Sequence, residues 1–377
     1  MYFDHSATTK TDERVLHTFM EVSTTYFSNP ASLHAAGKQA EKLLEKARSQ
    51  VLATLGLELT EGVFTSGGTE ANNLAILGYV YANQHKGRHL LTTAVEHPSV
   101  LHAFKYLETQ NFTVDYLTVD SEGRISLAEL QSFLRPDTLL VSIMHVNNEI
   151  GTIQPIAECA KIIHSQSRAV LHSDCVQSFG KIKLDDEQNC PDLVTLSGHK
   201  IYGVKGSGFL AYRKNIRLHA ISYGGGQEKN LRNGTVSVPH AAALAKAARL
   251  QVEEANIQQF QQWRDELVQF FSGIEDCLVL APQASAPYIV TVAFRHVTGE
   301  VVVNFLQERG IFVSTSSACS SKKSGVSHVI EAIRLPKDFE KGVIRISFGK
   351  DQTTDEIHQL KKAVHQFMQL LKRGIRK

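Results

Sequence analysis

The segment Ser197-Gly198-His199-Lys200-Ile201-Tyr202-Gly203 places a lysine just after an apolar run, 193–197, that reads as a buried strand. A lysine at such an edge can form a Schiff base with a carbonyl when burial and a nearby cation keep its amine partly neutral. Ser197 and His199 flank it as donors suited to a phosphate. The same residues also read as a glycine-rich turn with a solvated lysine. Gly203 is not followed by Lys-Ser or Lys-Thr, so this is not a P-loop.

Two further stretches carry chemistry. In Thr65-Ser66-Gly67-Gly68-Thr69-Glu70-Ala71-Asn72-Asn73 two glycines lead into a helix. Unpaired N–H groups and the dipole at such a start attract phosphate, and glycine lets an anion approach. A plain cap by Thr69 is the other reading. Asp174 ends the run Val170-Leu171-His172-Ser173-Asp174, followed by Cys175-Val176-Gln177. A carboxylate beside an apolar core needs a partner. A protonated pyridine nitrogen is one, and that pair turns the ring into an electron sink. Gln177 is spaced to reach a ring hydroxyl. Asp174 also reads as the cap of the following helix.

The elements that must hold these residues alternate. Helical spacing covers 70–83, 98–110, 127–134 and 156–165. Extended or apolar runs cover 89–93, 112–119, 138–144, 169–174 and 193–197. This predicts an α/β fold with a large, mostly parallel sheet covered by helices on both faces. Ligands in such sheets sit beyond the carboxyl ends of the strands. A long helical stretch over 239–271 breaks the alternation. Strand-like 289–294, 311–314 and 343–348, helix-like 301–309 and a last helix over 354–371 follow. The reading is a large α/β domain over 15–255 and a smaller α+β domain made of 1–14 and 256–377.

The bulk properties exclude several classes. The 377 residues carry 40 basic and 38 acidic side chains, a net charge of +2, which argues against a nucleic-acid binder. No apolar run approaches the ~18 residues of a membrane span. The start, Met1-Tyr2-Phe3-Asp4-His5, has no basic stretch leading into an apolar one, so no signal peptide is expected. Five scattered cysteines without a C-x-x-C pair argue against disulfides and against a zinc or other metal site, and fit a reducing cytoplasm.

Taken together, the phosphate cradle, ring-nitrogen acid and Schiff-base lysine follow the chain order of fold-type-I pyridoxal-phosphate enzymes. Asp4-His5-Ser6-Ala7-Thr8-Thr9, Ser28-Asn29-Pro30, the stretch 65–73, His145-Val146-Asn147-Asn148-Glu149-Ile150-Gly151, Ser197-Gly198-His199-Lys200, Gly224-Gly225-Gly226-Gln227-Glu228 and Ser316-Ser317-Ala318-Cys319-Ser320 resemble the NifS/IscS group of cysteine desulfurases. This group lies within the class-V aminotransferase family, and the resemblance runs over essentially the whole chain.

The resemblance implies roles. Lys200 looks like the lysine that carries pyridoxal 5'-phosphate, and Asp174 and Gln177 like its ring partners. His97 looks like the histidine that stacks on the ring and handles protons; a surface histidine at a helix start is the plainer reading. Thr69, Ser197 and His199 look like phosphate ligands, with the Gly68 backbone beside them. Asn148 resembles a residue touching the ring face and the substrate carboxylate, and Arg345 the arginine that binds that carboxylate. Thr235 resembles a residue reaching the cofactor phosphate of the neighbouring subunit, which would make a homodimer obligatory. Cys319, in the small polar run 314–321, resembles the nucleophile that takes sulfur from L-cysteine; Lys322 and Lys323 would favour its thiolate. The other four cysteines read as packed residues. Asn230 and Asn233 depart from the family pattern near Arg232, as does Lys322-Lys323. The implied activity yields L-alanine and a persulfide on Cys319 for a sulfur acceptor, an iron–sulfur scaffold or a thiolation enzyme. An aminotransferase, a selenocysteine lyase and a non-catalytic sulfur-relay subunit are the alternatives.

Overall fold

The apolar runs at 138–142, 170–174 and 193–197 form strands buried along their whole length, as interior strands covered on both faces must be. The computed structural model describes residues 1–57, 59–184, 189–281, 283–315 and 325–374. It joins these runs to four others in one seven-stranded sheet. The strands are β1 (Glu61–Thr65), β2 (His89–Thr93), β3 (Thr113–Leu117), β4 (Thr138–Ser142), β5 (Val170–Asp174), β6 (Leu193–Ser197) and β7 (Gly208–Tyr212), in the order β1-β7-β6-β5-β4-β2-β3. Strands β3, β2, β4, β5 and β6 run parallel, and β7 lies antiparallel to both β6 and β1. The parallel run puts the carboxyl ends of β5 and β6, at Asp174 and Ser197, side by side on one edge.

Helices cover both faces. Val15, Leu44, Val51 and Leu244, from helices Glu13–Thr25, Ala35–Leu55 and Val238–Glu254, pack with Phe209. Leu74, Val80 and Phe104 pack with Leu210 on the other side. Consecutive residues Phe209 and Leu210 therefore serve opposite faces, as the pleat demands.

A second, antiparallel sheet has the order β10-β11-β9-β8, with β8 (Cys277–Leu280), β9 (Ile289–Phe294), β10 (Ser314–Thr315) and β11 (Val343–Ser347). Its core is rich in aromatic residues, among them Phe260, Trp263, Phe271, Phe294, Phe348 and Phe367. The N-terminus belongs to this sheet: Tyr2 bridges to Phe312 and Asp4 to Ser347. Residues 5–9 then cross to the edge where β6 ends.

The stretch 239–271 is two helices rather than one, Val238–Glu254 and Ile257–Ser272. Ala255 turns extended, and the Asn256 side chain accepts the Gln259 N–H to start the second helix. Asparagine offers the backbone that alternative and so favours a cap over a helix interior. The helical run at 70–83 starts earlier, at Gly68, and contains one wide π turn at Leu74–Gly78.

Candidate active site

β6 ends at Ser197, and the chain closes at once into a single 3-10 turn, Gly198–Lys200. The Gly198 carbonyl accepts the N–H groups of Ile201 at 3.0 Å and Gly203 at 2.8 Å. Tyr202 between them is held at φ 60°, a left-handed conformation that costs a residue with a side chain. The crossing N-terminal segment straps this turn. Thr9 donates from both N and Oγ1 to the His199 carbonyl, each at 2.9 Å, and the Tyr202 N–H donates to Thr9 Oγ1 at 2.8 Å. Lys200 Nζ donates to the carbonyls of Ser6 and, at 2.9 Å, Ala7. Lys181 supplies the neighbouring cation: burial and then the charge of Lys200 push its amine down to about 7.

Lys200 lines a cavity of about 410 Å³. Gly68, Thr69, His97, Asn148, Asp174, Gln177, Ser197, His199 and Arg345 line it too, so residues far apart in sequence meet at the carboxyl edge of the sheet. Thr235 is exposed and is not in that lining. Cys319 lies outside the described residues.

Asp174 is almost fully buried. One of its oxygens accepts the Val176 N–H at 2.9 Å and the other accepts Asn72 Nδ2 at 2.7 Å. The same Asn72 amide donates to Ser99 Oγ at 2.9 Å, and Ser99 Oγ lies 2.7 Å from His97 Nδ1. His97 itself caps helix Pro98–Thr109 by accepting the Ser99 N–H at 3.2 Å, with Pro98 pre-set for the first turn. Burial lowers the pKa of His97, Asp174 opposes that shift and Lys200 adds to it, leaving the ring easier to deprotonate than an ordinary histidine. His199, its Nδ1 3.2 Å from Thr8 Oγ1, is pushed down to about 4 by burial and the charges of Lys200 and Lys205, so its ring is neutral.

Arg345 sits in the middle of β11, almost fully buried. It donates from Nη1 to the Asn148 carbonyl at 2.5 Å and from Nη2 to Asp4 Oδ1 at 2.9 Å. Gln177 donates from Nε2 to the Ser6 carbonyl at 2.9 Å, and its own carbonyl accepts the Tyr288 hydroxyl at 2.9 Å. Among the described residues, Ser6 Oγ, Gln177 Oε1, Asn72 Oδ1 and Arg345 Nε are buried without a partner.

Sequence reasoning did not single out several lining residues: Ser6, Ala7, Asn72, Ser99, Glu149 and His328. Glu149 sits in the quoted His145–Gly151 motif, and its charge in that otherwise uncharged setting is the signal that could have found it. Its Oε2 accepts the Ser327 hydroxyl at 2.6 Å, and burial pushes its carboxyl up to about 7. His328 donates from Nε2 to the Glu96 carbonyl at 2.9 Å. Nothing in its sequence surroundings signals that contact.

Cys159, Cys175 and Cys190 are buried and Cys277 half-buried. Burial pushes the thiols of Cys159, Cys175 and Cys277 up to about 12, which suits packing and not nucleophilic work. Among the described residues no cluster of three or more His, Cys, Asp or Glu side chains could hold a metal ion, and no helix is long and apolar enough to cross a membrane.

Residues 1–360 match the family profile "Aminotransferase class-V". The chain is 39% identical over 362 residues to "Cysteine desulfurase IscS 1" of Archaeoglobus fulgidus, covering 95% of this chain and 94% of the relative. It is 40% identical over 376 residues to the "Cysteine desulfurase" of Nostoc sp. strain PCC 7120, covering 99% and 94%. A solved "NifS-like protein" superposes with a TM-score of 0.91 at 34% identity, covering 98% of this chain and 99% of that one. The NifS-like protein of Rickettsia africae superposes with a TM-score of 0.86 at 28% identity, with the same coverage.

Proposed function

Because this chain belongs to the class-V aminotransferase family, and within it to the cysteine desulfurases, we propose that it binds pyridoxal 5'-phosphate in the Lys200 cavity and passes the sulfur of L-cysteine to Cys319. The observation that carries this reading is the meeting of an amine, a buried carboxylate, a buried guanidinium and an imidazole around one space.

The residues fit the cofactor. A Cβ on Gly68 would lie 2.9 Å from Val176 Cγ2 and 3.4 Å from Ser197 Cβ, so glycine lets the start of the helical run close against the end of β6. Thr69, Ser197 and His199 at that end would hold the phosphate, and Asp174 the ring nitrogen. The unpartnered Gln177 Oε1 and Ser6 Oγ leave hydrogen-bonding capacity for the ring substituents. When bound, pyridoxal phosphate supplies an aldehyde for an amine and a ring that spreads a developing negative charge.

The chain's own residues do the rest. Arg345 binds the carboxylate of cysteine and orients the amino acid. The Lys200 amine accepts and returns the α-proton, and His97 donates a hydrogen bond from Nε2. The Cys319 thiolate forms a bond to the substrate sulfur as the Cβ–S bond breaks, and Cβ takes up a proton. The balance is cysteine plus Cys319 thiol to alanine plus Cys319 persulfide. A sulfur-acceptor protein, an iron–sulfur scaffold or a thiolation enzyme, then takes the outer sulfur. The working unit is a homodimer in the cytoplasm, with Thr235 serving the partner's cofactor.

Incubation of the yellow holoenzyme with cysteine tests the reading: alanine should form one-for-one with persulfide, and peptide mass spectrometry after one turnover should find the extra sulfur on Cys319 alone. Cys319→Ser should still bind cofactor and cysteine but stop sulfur transfer, because a serine hydroxyl is not ionised near neutral pH. Pyruvate-dependent amino transfer that survives Cys319→Ala would instead make the protein an aminotransferase.

A further inference from the structure

We propose that Asn72 and Ser99 are positioning residues for this reaction: they join Asp174 to His97 as one hydrogen-bonded unit and fix which nitrogen of His97 carries the hydrogen. The proposal rests on the reading that His97 serves the cofactor site.

The order of donors is set by chemistry. Asn72 Nδ2 has two hydrogens and gives one to Asp174 Oδ2 at 2.7 Å and the other to Ser99 Oγ at 2.9 Å. Having accepted there, Ser99 sends its hydroxyl hydrogen to His97 Nδ1, 2.7 Å away. The Ser99 backbone N–H points at the same nitrogen from 3.2 Å. Two donors converge on Nδ1, so that atom bears the lone pair and the ring hydrogen sits on Nε2. Asn72 is almost fully buried, and its Oδ1 is left without a partner among the described residues. An amide that gives both hydrogens and leaves its oxygen unpaired bears a cost that packing alone does not explain.

The consequence is a direction for hydrogen bonding. His97 enters the reaction as a neutral ring that donates a hydrogen bond from Nε2. The cationic ring would set an Nδ1–H against two other donors, so the unit disfavours it. The surrounding charges divide. Asp174 favours the cation, while burial, Lys200, His328 and His102 oppose it. Glu96, next in sequence, is kept protonated to about pH 8 by burial and contributes no charge at neutral pH.

Nuclear magnetic resonance of the holoenzyme labelled with ¹⁵N-histidine tests this, with the His97 signals identified by their loss in His97→Gln. The expected result is an unprotonated Nδ1 and a protonated Nε2 at neutral pH. Ser99→Ala should mix the two tautomers, raise the pH at which His97 titrates, and lower kcat about three- to tenfold with KM for cysteine unchanged. Ser99→Thr keeps the hydroxyl and should restore all three. Asn72→Leu touches both ends of the unit, so it should move the His97 signals and the absorption band of the bound cofactor together. A wild-type His97 protonated on Nδ1, or Ser99→Ala with unaltered His97 signals, would overturn the proposal. If His97→Gln leaves turnover and the cofactor band unchanged, the reading that His97 serves the site fails, and the proposed role with it, whatever the tautomer.

Discussion

At the amino ends of the parallel strands, His89 Nδ1 meets Thr138 Oγ1 at 2.7 Å, and its Nε2 meets Asp115 Oδ2 at 3.0 Å; Arg135 donates to the same carboxylate at 2.6 Å. Beside them Asp192 gathers His164 at 2.9 Å, Arg213 at 2.9 Å and the Leu171 N–H at 2.8 Å. No buried polar atom of these side chains lacks a partner. Around the cavity at the carboxyl ends the same residue types recur as His97, Asp174 and, from the middle of β11, Arg345. There, Ser6 Oγ, Asn72 Oδ1, Glu96 Oε2, Gln177 Oε1 and Arg345 Nε are buried without a partner among the described residues. Buried polar groups are ordinarily paired, so the unpaired atoms of Ser6, Asn72, Gln177 and Arg345, four of the nine among the described residues, mark capacity held for a ligand where those residues line one cavity. Degree of satisfaction, not residue type, separates the two ends of the sheet: one is scaffold and the other holds the candidate site.

Substitutions at the two ends should therefore fail differently. The largest effect is expected from Lys200→Ala, which should abolish both alanine and sulfide formation from cysteine; normal turnover would remove the lysine from the reaction. Arg345→Ala should raise KM for cysteine about ten- to hundredfold, the worth of a charge-assisted pair to a carboxylate, as steady-state kinetics on the folded protein would show. At the scaffold end, Asp192→Ala strands three donors and should cost about 3 kcal/mol in urea unfolding while leaving kcat unchanged. A variant of Asp192 that keeps its stability but loses turnover would erase the distinction between the ends.

The carboxyl edge was legible in the sequence because its residues close strands. Asp174 and Ser197 are the last residues of β5 and β6, and the apolar runs before them are long enough to place both. The glycines before Thr69 and the arginine within an apolar strand were visible for the same reason: each breaks the local pattern. The helices Glu13–Thr25 and Ala35–Leu55 both precede β1, so they lie outside the strand–helix alternation that the sequence displays. Asn72, Ser99 and His328 were hidden for a different reason. Their partners lie across the fold, with Asn72 and Asp174 separated by 102 positions. Polar residues at a helix start read as caps until tertiary contacts give them another partner. The break at Asn256 was masked by apolar spacing that continues across it.

The smallest effect concerns Glu96, which belongs to the unsatisfied end yet touches no expected ligand. Its Oε1 accepts the Thr93 hydroxyl at 2.9 Å and the Met144 N–H at 2.8 Å, and its Oε2 has no partner among the described residues. Burial first, and the nearby Asp174 charge as well, push its carboxyl from the ordinary value of 4.5 up to about 8. A carboxyl raised on folding binds its proton more tightly in the native state than in the unfolded chain. Between pH 4.5 and about 8 the native state therefore holds more protons, and this group's contribution to stability falls as pH rises through that window. Glu96→Gln keeps the accepting oxygen and puts an uncharged amide where Oε2 was, mimicking the protonated acid. Near pH 5 the two proteins should unfold at similar urea concentrations. Near pH 8 the variant should be the more stable by at least about 2 kcal/mol, because the wild type must take up a proton at Glu96 to fold and the variant need not. Parallel stability–pH curves for the two proteins would show that Glu96 is ionised and solvated in the native state, and would move it from the unsatisfied end of the sheet to the saturated one.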